Sequence, residues 1–115
     1  MDVDYKRRAL ILAIRKAYDH SREANDLIFK KDGDTISVAL AYLNSAISSM
    51  NLAMAIHTCT EDNLQGFYDI YDRFNIFSDE FLSGCSTIHS RAWSDIAFVR
   101  FEDVYKHSIV PDYPL

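Results

Sequence analysis

The sequence predicts an all-α fold, an antiparallel four-helix bundle formed by one 115-residue domain. Three observations predict it. Breakers are scarce, with three glycines and two prolines, and both prolines (Pro111 and Pro114) lie in the last five residues. Apolar residues recur at spacings of three and four in four separate stretches. Thr35–Thr60 also runs for 26 residues without one Asp, Glu, Lys or Arg, although charged residues make up 25% of the chain. A solvated helix carries charge on its outer face. This one is therefore expected to be covered on most sides, by its own domain or by a second copy of the chain.

The first helix is expected from about Asp4 to Lys31. Asp2 and Asp4 suit the positive end of its dipole. Leu10, Ala13, Ile14, Ala17, Ser21, Ala24, Leu27 and Ile28 form its stripe. Asp32-Gly33-Asp34 then breaks it, with Gly33 suited to a left-handed C-terminal position and Asp34 to capping the next helix. So short a break implies an antiparallel hairpin.

The second helix is expected from Thr35 to about Thr58. Its inner stripe is Ile36, Ala39, Leu40, Leu43, Ala46, Ile47, Met50, Ala53, Met54 and His57. Alanines recur every seven residues at 39, 46 and 53, and in the first helix at 17 and 24. Small residues at heptad spacing let two helix axes come close, so the two helices should share an alanine-rich seam.

Thr58 and Glu61 suggest a capping box for the third helix. Its stripe is Leu64, Phe67, Tyr68, Ile70, Tyr71, Phe74, Phe77, Phe81 and Leu82, with a kink suggested at Asn75 and Ser78 and a terminator at Gly84. The fourth helix is expected from about Ser90 to His107, with Trp93, Ile96, Ala97, Arg100 flanked by Val99 and Phe101, Val104 and Tyr105. Two alternatives stay open: a strand over Ile96–Phe101, and a three-helix variant in which 85–92 is irregular. The tail from Ser108 is expected to be extended, because the residue before a proline avoids helix. The ten aromatics from Phe67 to Tyr105 either fill the core or line an apolar pocket or docking face.

Composition narrows function by exclusion. The net charge is −5, divided unevenly: residues 1–31 hold eight Lys/Arg against five Asp/Glu, and residues 32–115 hold four against twelve. The basic cluster Lys6, Arg7 and Arg8 is weak for nucleic-acid binding. No secretory apolar region opens the chain, and Cys59 and Cys85 match no zinc spacing, which reads as reduced thiols in a cytoplasmic protein. The uncharged stretch is long enough to cross a bilayer, but Asn44, Ser45, Ser48, Ser49 and Asn51 at its middle argue against lipid. Glu-x-x-His, the di-iron signature, is missing. His20-x-x-Glu23 could supply half of a metal site, and Cys85 with His89, four residues apart, a nucleophile pair if the fourth helix starts early. No cofactor and no metal are expected.

The stretch FKKDGDTISVALAYLNSAISSMNLAMAI resembles a helical hairpin of small archaeal proteins of unknown function, through Phe29–Asp34 and Ala39–Ala53. HEPN domains share this hairpin type, and HEPN ribonucleases carry Arg-x(4–6)-His in a late helix. Arg100 and His107 fit that spacing, although Phe101 stands where the family prefers a polar residue. The resemblance implies that Arg100 would hold phosphate and His107 would assist RNA cleavage. Catalytic roles are otherwise unassigned. The favoured reading is a protein-interaction or scaffold domain that forms a homodimer, with Asn44, Ser48 and Asn51 in the interface. A further protein partner fits this reading, whereas nucleic acid and membrane do not.

Overall fold

A computed structural model describes residues 2–29, 33–60, 63–84 and 88–115, and the side chains of 5–29, 35–60, 63–83 and 92–115. These residues form α1 (Asp2–Leu27), α2 (Gly33–Thr58), α3 (Phe67–Gly84) and α4 (Ile88–Lys106), an all-helical bundle without strands. The strand alternative at Ile96–Phe101 is thereby excluded, because this segment lies inside α4. Two hairpins, α1 with α2 and α3 with α4, supply most of the packing, in a molecule 48 × 22 × 22 Å. Contacts fix the directions. His20 meets Tyr42, Phe77 meets Phe98, and α1 meets α4 through Tyr18 on Tyr105 and Asn25 on Asp95, so each pair runs antiparallel.

The alanine seam is present. Ala13, Ala17 and Ala24 of α1 and Ala39, Ala46 and Ala53 of α2 are all buried. Without side-chain bulk between them the two axes can come close. Ala46→Leu inserts three carbons into a fully buried position and should cost on the order of 1–3 kcal/mol. An unchanged urea midpoint for that variant would mean that the seam is looser than it looks.

A second face of α1 was not read from the stripe. Ile11, Tyr18 and Asn25 are also buried, seven residues apart, and Tyr18 and Asn25 turn toward α4. The Tyr18 ring stacks 4.2 Å from Tyr105, and its hydroxyl donates to the Glu102 carboxylate. Burial, then Glu102, holds the Tyr18 hydroxyl well above its usual pKa, and burial pushes Tyr105 up to about 12. Asn25 Nδ2 donates to Asp95 at 2.9 Å.

Several boundaries and faces differ from expectation. The end of α1 is Leu27 rather than Lys31, although Ile28 N still bonds the Ala24 carbonyl. Gly33 opens α2, so Asp34 falls inside the helix and not before it. The Thr58 capping box is not used. Thr58 Oγ1 donates back to the Met54 carbonyl, closing α2, while Glu61 lies outside the described residues. Helix α3 waits for Gly66, whose φ of +82° is a left-handed turn that suits glycine. Leu64 precedes that turn, outside α3, yet is buried. The suggested kink at Asn75 and Ser78 lies within an unbroken α3.

Helix α4 is rotated from the expected stripe. Ser94, Ala97, Phe98, Phe101 and Tyr105 face inward, and Trp93 and Ile96 face out. Apolar residues occupy both sides of this helix, so periodicity alone could not select the buried one. The tail is turned rather than extended. Tyr113 N bonds the Val110 carbonyl, a turn with Pro111 at its favoured second position. Arg15 ties it to α1, donating to the carbonyls of Val110 (3.0 Å), Pro111 (3.2 Å) and Tyr113 (2.6 Å). One of the basic residues of α1 thus serves the backbone of the tail.

Candidate functional site

Helix α2 buries one side and leaves the opposite side open. Ala39, Leu43, Ala46, Met50, Ala53 and His57 alternate in steps of four and three along the side packed against α1, and all are buried. Val38, Ala41, Ser45, Ser48, Leu52, Ala55 and Cys59 alternate in steps of three and four on the other side, and all are exposed. Val38 is 47% and Leu52 56% exposed. Asn44 and Asn51 are exposed beside this row. Of the two covers expected for α2, its own domain supplies only part: 28% of its most apolar stretch is buried within the chain. The reason is geometric. Only α1 lies along it, and α3 approaches chiefly near His57, where the Phe67 ring stacks at 4.4 Å. By length and composition α2 is also able to cross a membrane.

A second exposed apolar area lies over α3 and α4. Ile76, Trp93 and Ile96 line a shallow groove of about 80 Å³ with Arg73, Glu80 and Arg100. Seven of the ten aromatics fill the core, namely Phe67, Phe74, Phe77, Phe81, Phe98, Phe101 and Tyr105. Tyr68 and Trp93 are exposed instead. Ring contacts such as Phe77 edge-on to Phe98 and stacked with Phe101 fill the space between α3 and α4.

Arg100 and His107 are both exposed but serve different surroundings. Arg100 borders the groove with Arg73, and no ion pair holds it among the described residues. His107 lies one residue past the end of α4. Its Nδ1 is 2.8 Å from the Asp103 carbonyl oxygen and 3.3 Å from the Asp103 carboxylate. It borders an open cleft of about 490 Å³ with Gln65, Gly66, Asp69 and Asp103. No family model, no curated protein and no solved structure matches the chain. Geometry and chemistry alone therefore speak for these surfaces.

They say little for catalysis or metal. Among the described residues no three His, Cys, Asp or Glu side chains group closely enough to hold a metal. His20 packs on the Tyr42 ring, and Glu23 is exposed. Cys85 and the side chain of His89 lie outside the described residues. Cys59 is an exposed free thiol, whereas His57 is buried, so the two point apart as their spacing requires. His57 has no hydrogen-bond partner on either ring nitrogen among the described residues, and Ser21 and Ser94 hydroxyls are likewise buried without one.

Proposed function

We propose that this protein is a cytoplasmic helical interaction domain, without catalytic chemistry of its own, that self-associates along α2. One observation carries the reading: the uncharged helix presents a full-length exposed row whose spacing matches that of its buried row. A helix face that meets only water has no reason to stay free of charge for 26 residues. A lipid occupant is disfavoured, because Asn44, Ser45, Ser48 and Asn51 lie exposed at the middle of the span, where hydrocarbon cannot satisfy them. A protein occupant can satisfy them. The groove holding Trp93, Arg73 and Arg100 offers a further protein partner the residue types that dominate interface energies.

The decisive measurement is mass by light scattering across micromolar concentrations. A mass of two chains supports the reading, and one chain throughout overturns self-association. A second reading, an RNA-acting HEPN-like protein, draws on Arg100 and Arg73, which border one groove without an ion partner among the described residues. The Asp103 carboxylate beside His107, and Asp69 across the same cleft, make a poor phosphate site. Salt-dependent RNA binding lost in Arg100→Ala, with RNA cleavage lost in His107→Ala, would favour that second reading.

A further inference from the structure

The exposed row of α2 has an internal symmetry that selects its occupant. Its members Val38, Ala41, Ser45, Ser48, Leu52 and Ala55 are positions a and d of a heptad that Cys59 continues. Two such helices laid antiparallel, with a twofold axis between residues 46 and 47, bring a opposite d. Val38 then faces Ala55, Ala41 faces Leu52, and Ser45 faces Ser48, each across the axis. Every large side chain meets a small one, and the hydroxyls meet hydroxyls. Asn44 and Asn51 flank the row on one side, and the same operation sets Asn44 beside Asn51 of the second copy. Their amides can donate and accept across the pair.

A parallel, in-register pair does the opposite. It stacks Val38 on Val38 and Leu52 on Leu52, with alanine on alanine between them. The axes would then be held apart at the large layers and leave gaps at the small ones, against the close packing that stable contacts need. An unrelated partner helix would need no self-complementary row at all. We infer that α2 pairs with α2 of a second copy in this antiparallel register, as an isologous dimer whose twofold axis passes between residues 46 and 47. This rests on the proposed self-association, and adds the partner's identity and its alignment.

The test uses single cysteines in the full-length chain with Cys59→Ser and Cys85→Ser. In the antiparallel register position 38 faces position 55, whereas two copies of position 38 lie 17 residues apart, about 25 Å along the axis. A disulfide needs Cα atoms within about 7 Å. Val38→Cys and Ala55→Cys, each alone, should stay uncrosslinked under mild oxidation. Mixed in equal amounts before oxidation, they should link up to half of the chains, the statistical share of mixed dimers. Crosslinking of each variant alone would overturn the register and leave α2 self-association standing. A dimer mass with no crosslink in any arm would also overturn this register, and Ser48→Glu then decides whether α2 is the interface at all. A monomer mass for the unmodified chain would overturn both inference and function, and light scattering on the cysteine variants keeps these outcomes apart.

Discussion

Ser48→Glu should convert the proposed dimer to monomers while leaving the fold of each chain intact. Ser48 is exposed in the single chain, and glutamate is a good helix former, so folding stability should move by no more than about 0.5 kcal/mol. In the antiparallel pair the same carboxylate sits over Ser45 of the second copy, with its own symmetry mate close by. No Lys or Arg lies within the uncharged stretch of either copy to pair with it. Burying an unpaired carboxylate costs several kcal/mol, and the dimer holds two. At 1.4 kcal/mol per decade, dissociation should strengthen by about a thousandfold or more. Light scattering reads the mass and thermal unfolding reads the fold. Ser48→Ala, which removes the hydroxyl without adding charge, should remain dimeric. A dimer that persists in Ser48→Glu would place the interface elsewhere.

Phe77→Ala should bring the largest loss of stability, about 3–5 kcal/mol. Its side chain is fully buried, with Phe98 at 5.4 Å, Phe81 at 5.8 Å and Phe101 at 6.3 Å between ring centroids. These rings come from both α3 and α4, so truncation opens a cavity in the contact that joins them. Total stabilities of small domains are only about 5–15 kcal/mol, and the variant should unfold at a much lower urea concentration. Trp93→Ala is the natural contrast. Trp93 is equally aromatic but 56% exposed, and its loss should shift the midpoint little. Equal effects from the two substitutions would mean that Trp93 is as enclosed as Phe77.

How far each feature could be read from sequence follows from whether its cause is local. The alanine seam was legible because burial on a helix repeats with the helix period, and Ala39, Ala46 and Ala53 keep strict heptad spacing. The hairpin was legible because a few breaker residues separate two long stripes. The face of α4 was not, because Trp93 and Ile96 compete with Phe98 and Phe101 for the core, and only the position of α3 and α1 decides which set is enclosed. The start of α3 was missed because Thr58 and Glu61 mimic a cap, while Gly66 carries the turn through a single positive φ. Arg15 gave no sign of its role, since its acceptors are tail carbonyls about a hundred residues away.

The candidate site divides in the same way. The absence of charge from Thr35 to Thr60, and the choice of Asn44, Ser48 and Asn51 as interface residues, came from sequence alone. Whether that helix would be enclosed or open could not, because an uncharged helix suits a central position in one chain as well as a contact between two. Tertiary structure decided it by laying α1 along one side only and leaving the opposite heptad row uncovered. Local spacing determines which residues share a face. Only the packing of distant elements determines which face is left for a partner.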